Sequence, residues 1–194
     1  MPDISAYVNQ QYQDWSLKSM CLASCSLCIV LENQIKIYEI ESLKEFVCID
    51  TELNPRGVLS LAVNSKRNWF AYPNDRVKGS VKVQDILTCK NGEEIRIDAH
   101  KSSISQLQFN KDGSMLATAG TYGTLVNIWS LPSGSKTHQL KRGNSPARIS
   151  GLAFGPRGLF CVGSNHGTLH LFQLGIQSSK FACVYTQPSQ SLFG

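Results

Sequence analysis

Two adjacent cations, Lys141 and Arg142, close the run Gln139-Leu140-Lys141-Arg142-Gly143, just before another strand-like run begins at Ile149. Successive side chains on a strand point to opposite faces. The pair therefore cannot serve one pocket from one face, but it suits two pockets on either side of a single strand. The chemistry such cations offer is capture of anionic groups. Arginine presents a planar fork that fits phosphate or carboxylate oxygens, and lysine a point charge. Other constellations are weaker. Cys25-x-x-Cys28 lacks a second Cys/His pair at metal-ligand spacing and lies in a β-type run, so these read as core thiols. Gly155-Pro156-Arg157-Gly158 joins two strand-like runs and opens no helix, so it reads as a turn, not a phosphate loop. No Ser, His and Asp arrangement nominates a nucleophile, so an enzyme is not expected.

The scaffold for the cationic pair is a run of short β-type segments. They include LCIVLE (27–32), IKIYEI (35–40), EFVCID (45–50), VLSLAV (58–63), NWFAYP (68–73), SVKVQDI (80–86), ISQLQF (104–109), MLATAG (115–120), LVNIWSL (125–131), ISGLAF (149–154), LFCVGS (159–164) and LHLFQL (169–174). Between them stand turn formers such as Asn54-Pro55-Arg56-Gly57, Lys111-Asp112-Gly113 and Pro132-Ser133-Gly134. No segment sustains a helical period, so the chain reads as all-β.

The strands recur as a set. Leu61, Leu107 and Leu152 are 46 and 45 residues apart, and Val83, Ile128 and Leu171 are 45 and 43 apart. Ile37 precedes Val83 by 46. A repeat of that length with about four strands is the mark of a β-propeller blade. Four blades are expected, at about 17–51, 57–100, 103–143 and 148–187, with FACVYTQ (181–187) as the final strand. Residues 1–16 read as a tail or strand remnant and 188–194 as a C-terminal tail. Propellers close rings of typically about 4–8 blades, and nothing after Gln187 offers a clasp, so this set is expected to be incomplete.

Composition agrees with an ordinary globular protein: 194 residues, 42% hydrophobic and 17% charged. A net charge of +5 suits anionic partners without selecting one. The seven cysteines have no framework spacing, and no secretory leader precedes them, so a reduced, cytoplasmic protein is expected. The longest apolar run, Met20 to Leu31, is too short to span a bilayer, which needs roughly 20 residues.

Several segments carry a resemblance. They are Asn68-Trp69-Phe70-Ala71-Tyr72-Pro73, Ala99-His100-Lys101-Ser102-Ser103-Ile104, Asn110 through Gly120, Gly123-Thr124-Leu125, Gln139 through Gly143, and Gly163 through Phe172. In unbroken order they resemble the PROPPIN family, the WIPI and Atg18-like WD-repeat proteins that bind phosphoinositides in autophagy. The resemblance implies blades three to six of a seven-bladed propeller. It also implies that Lys141 and Arg142 each serve one headgroup pocket for phosphatidylinositol 3-phosphate or the 3,5-bisphosphate. Lys141 stands where the family has an arginine, and Gly120 where it has a serine, so the Lys141 pocket, with His100 and Thr124, is expected to be the weaker. The Arg142 pocket would draw on Ser164, His166, Thr168 and His170. A phosphomonoester wants this set of guanidinium, hydroxyls and imidazole.

The implied setting is peripheral, on phagophore or endosomal membranes, with no cofactor and no nucleic acid. The family's groove for Atg2-like or Atg16-like proteins lies between blades two and three. Its blade-two half is absent here and no basic residue stands at 23–27, so that partner contact is not expected. The competing readings are a WD-repeat protein-interaction scaffold with little lipid affinity, or a truncated isoform without function.

Overall fold

Turn chemistry cuts the chain into strands, and the computed structural model shows where each cut falls. It describes residues 17–23, 26–62, 68–74, 76–175 and 180–185. The expected tails at 1–16 and 188–194, and Cys25, lie outside the described residues. The first blade contains β1 (Ser19–Ala23), β2 (Ser26–Val30), β3 (Gln34–Glu39) and β4 (Glu45–Asp50). The second contains β5 (Ser60–Leu61), β6 (Trp69–Asn74), β7 (Ser80–Asp85) and β8 (Ile95–Asp98). The third contains β9 (Ile104–Phe109), β10 (Met115–Gly120), β11 (Leu125–Ser130) and β12 (Ser135–Lys141). The fourth contains β13 (Ile149–Phe154), β14 (Leu159–Ser164), β15 (Thr168–Gln173) and β16 (Lys180–Tyr185). Each is a four-stranded antiparallel sheet with strands in chain order.

The apolar run Met20–Leu31 is not one strand. It folds back on itself as the hairpin β1–β2, with Cys21 opposite Cys28 and Leu22 opposite Leu27. Two of the expected turns show how the cuts are made. Asn54 bridges its own loop, its side-chain amide donating to Val58 O at 3.0 Å and its Oδ1 accepting from Val58 N at 2.9 Å. At Gly155–Gly158 the Gly155 N–H donates to Leu159 O at 2.7 Å, closing a turn between β13 and β14.

The blades stack face to face through apolar clusters set by strand alternation. Cys28, Val30, Ile35 and Ile37 of the first blade meet Phe70 and Tyr72 of the second. Val81, Val83 and Ile97 of the second meet Leu107, Leu116 and Trp129 of the third. On the third blade's other face, Ala117, Val126, Ile128 and Leu140 meet Ile149, Phe160, Val162 and Phe172 of the fourth. Side chains as fully enclosed as Phe160 and Phe172 each contribute about 2–3 kcal/mol of burial. The strands β5, β9 and β13 lie beside one another at the inner side of the stack, and β12 is the outermost strand of its blade.

Candidate phosphate-binding site

The cationic pair ends β12, and alternation assigns each member a face. Leu140 packs into the cluster shared with the fourth blade, and Arg142, two residues on, follows the same face. Gln139 lines a cavity on the opposite face, and Lys141 shares that side, opposite Leu125 in the ladder. The two-sided presentation read from the sequence is thus laid out around one strand, between the second and third blades on one side and the third and fourth on the other.

On the Lys141 side the cavity encloses about 470 Å³. His100 and Thr124 both line it, together with Asp98, Lys101, Ser102, Asn127, Lys136 and Gln139, whereas Lys141 itself is not part of the lining. Lys101 and Lys136 are exposed cations that the sequence reading did not single out. Lys101 sits beside His100 in the matched segment. Lys136 carried no local signal, because it stands three residues before Gln139 and only the register shift between Ile128 and Trp129 brings both to one face. Its ammonium also lies 5.9 Å from the Trp129 ring centroid, within cation–π range.

His100 is held by a chain of polar contacts. The Trp129 indole N–H donates to Thr118 Oγ1 at 3.0 Å, and Thr118 Oγ1 lies 3.0 Å from His100 Nε2. The same hydroxyl lies 3.5 Å from Asn127 O, its acceptor within the blade. Burial pushes the His100 pKa below its usual value, partly offset by the Thr118 contact, with Lys136 acting in the same downward direction as burial. His100 is therefore a neutral wall of the cavity near pH 7.

Gly120 is the position that lacks the family hydroxyl. A Cβ built there would stand 2.5 Å from Ser102 Oγ and 3.2 Å from the His100 ring. The space that a residue-120 side chain would fill is taken by the Ser102 hydroxyl, and Ser102 is itself buried.

On the other side Arg142 is 6% exposed. Its Nε–H donates to Gly123 O at 3.0 Å and an Nη donates to Ser145 O. Its backbone N–H donates to Thr124 O at 2.9 Å. A guanidinium has five N–H donors, so these side-chain contacts leave capacity for a ligand. Among the described residues no carboxylate pairs with Arg142. Gly123 makes this geometry available. Its φ of +61° suits glycine, and a Cβ there would overlap the Ala147 carbonyl.

The residues expected beside Arg142 belong to the fourth blade. Thr168 and His170 lie buried on the same face of β15 as Phe172, and Ser164 follows Val162 and Phe160 on β14. That face packs on the blade that carries Arg142. The Ser164 and Thr168 hydroxyls are 2.7 Å apart and hydrogen-bonded. His166 is exposed in the turn between β14 and β15. The structure thus groups Ser164 with Thr168, and His100 with Thr124. Arg142 takes its hydrogen bonds from its own blade and the segment that follows it.

Repeating four-stranded sheets, stacked in chain order about inner strands, define a WD-repeat β-propeller, here as four blades. The PROPPIN family model matches residues 5–184, and the chain belongs to that family. It is 35% identical over 168 residues to autophagy-related protein 18 of Dictyostelium discoideum, covering 86% of this chain and 44% of that protein. It is 36% identical over 168 residues to autophagy-related protein 18 of Schizosaccharomyces pombe, covering 76% and 44%. The chain thus spans less than half the length of these curated relatives. Among solved structures, Kluyveromyces lactis Hsv2 superposes with a TM-score of 0.79 at 20% identity, over 92% of this chain and 59% of that one. KlAtg21 in complex with the coiled coil of AgAtg16 gives 0.73 at 23% identity, over 90% and 57%. The family match begins at residue 5, within the segment read from sequence as a tail. No helix among the described residues is long and apolar enough to cross a membrane.

Proposed function

We propose that this chain captures phosphatidylinositol 3-phosphate or 3,5-bisphosphate headgroups through two unequal sites around β12, and so joins autophagic or endosomal membranes as a peripheral protein. The observation that carries the reading is Arg142, a guanidinium buried to 6% exposure with donors to spare and no carboxylate partner among the described residues. A buried cation without a counter-charge is costly, and an anionic headgroup supplies that charge. Ser164, Thr168, His170 and the exposed His166 come from the facing blade with hydroxyls and imidazoles suited to phosphate oxygens. On the other face, Lys101 and Lys136 line a cavity with His100, Thr124 and Ser102, and Lys141 stands nearby on β12. Ammonium groups give charge without the bidentate fork, and Asp98 in the same lining opposes it, which makes this the weaker half. Two weak captures on one membrane reinforce each other, because the second is effectively intramolecular.

Flotation with vesicles containing phosphatidylinositol 3-phosphate, against plain vesicles, tests the reading. Arg142→Thr should remove most binding and Lys141→Thr a smaller part. Equal losses would refute the ranking, and equal binding to plain vesicles would refute the headgroup reading.

A further inference from the structure

A second cavity, of about 540 Å³, lies away from β12 among the inner strands. Arg56, just ahead of β5, and Arg148, just ahead of β13, both line it, on either side of Ser105 of β9. Both arginines are exposed, and neither forms an ion pair among the described residues. Among the described residues no acidic side chain lines the cavity, and Val58, Leu59 and Ile149 add an apolar component. This places two guanidiniums on separate blades with apolar surface and a hydroxyl between them.

We propose that this cavity docks an acidic peptide segment of a partner protein. Two carboxylates would meet Arg56 and Arg148, and an apolar side chain between them would rest on Leu59 and Val58. Guanidinium forks match carboxylates bidentately, and the unopposed positive charge selects an anionic segment by complementarity. The apolar component favours a peptide over a bare phosphate, which offers nothing to cover it. Position favours a peptide over a bilayer. The headgroup site sits at the outermost strand of its blade, so a membrane held there leaves the inner strands open to a second ligand. An extended strand advances about 3.3 Å per residue with alternate residues on one face. Glu-Leu-Glu spacing thus turns both carboxylates one way and the intervening leucine the other, so the segment must twist or kink to seat all three. A flexible acidic segment can do this more readily than a rigid strand.

The test uses the full chain and a fluorescein-labelled Glu-Leu-Glu-Leu-Glu peptide read by anisotropy at low salt. Binding is expected to weaken about tenfold for Arg56→Ala or Arg148→Ala, as for loss of one charge-assisted contact. It should also weaken as salt rises, because the pairs are exposed. The Gln-Leu-Gln-Leu-Gln peptide should bind at least about tenfold more weakly. Arg56→Lys and Arg148→Lys, which keep charge without the fork, should lose less than the alanine variants. Unchanged thermal unfolding of the variants assigns any loss to the contact itself. Absence of binding, equal affinity for the glutamine peptide, or indifference to both alanine variants would overturn the proposal. So would displacement of the peptide by inorganic phosphate or by phosphoinositide vesicles at concentrations matching the unlabelled peptide, which would make the cavity a general anion or membrane site. Lipid flotation by the same variants should be unaffected, so failure here is separable from failure at Arg142.

Discussion

Arg142 and His100 show two ways of burying a titratable side chain. Arg142 donates to the carbonyls of Gly123 and Ser145 and keeps further N–H donors in reserve. His100 is kept neutral by burial, with Lys136 adding to the effect and the Thr118 contact partly opposing it. That difference has a pH signature. A folded-state pKa below the usual 6.5 means that the unfolded chain takes up the proton first as the solution acidifies. The stability associated with neutral His100 is therefore intact above about pH 6.5 and is lost as pH falls through the lowered folded value. Thermal unfolding between pH 7.5 and 5 should show wild type losing stability more steeply than His100→Asn, and parallel curves would contradict this. The paired cations were legible because adjacent charges on a strand must diverge. Lys136 was not, since only the folded ladder brings it to the cavity of His100 and Thr124. Nor could sequence foresee that Ser102 fills the space beside Gly120.

At the scale of elements, turns carried most of the readable signal. Most of the expected runs appear as strands, because each is bounded by residues that terminate pairing. The exception is instructive. Met20–Leu31 offered no Gly or Pro to mark its reversal, and its apolar content is the same on both limbs, so the β1–β2 hairpin was hidden. VLSLAV is also less regular than its pattern implied, with only Ser60 and Leu61 in the ladder, although Ala62 N–H still reaches Trp69 O at 2.9 Å. The β10–β11 turn has the strictest local demand. Gly123→Ala places a side chain at φ +61° and against the Ala147 carbonyl, and should destabilise by at least about 1–3 kcal/mol. Chemical denaturation measures this, and a loss below about 0.5 kcal/mol would show that the turn relaxes. The same substitution should impair lipid binding, because Gly123 O anchors the Arg142 guanidinium.

For the whole molecule, the inter-blade clusters decide how the stack behaves. Cys28 is fully enclosed in the cluster joining the first two blades, and burial, then Cys21, pushes its pKa up to about 12. Cys48 is exposed on β4. The thiolate is the reactive form, so an alkylating reagent should label Cys48 quickly and Cys28 only when the first blade opens. Mass spectrometry of timed digests reads this directly. If Cys28 were labelled as fast as Cys48, the first two blades would not be stably joined. A repeat near 45 residues made the propeller readable from spacing alone, since each blade must present matched apolar faces to both neighbours. The cavities were not readable, because they form where residues of two or three successive blades converge.

The close approach of Ser102 to Gly120 also constrains how this pocket can change over generations. The two positions share one small volume, so the effect of a substitution at either depends on the residue at the other. A serine introduced at 120 must first displace the Ser102 hydroxyl, whereas in a chain already reduced to alanine at 102 that oxygen is gone. The order in which such changes are made thus decides what each one costs, and the two positions couple energetically.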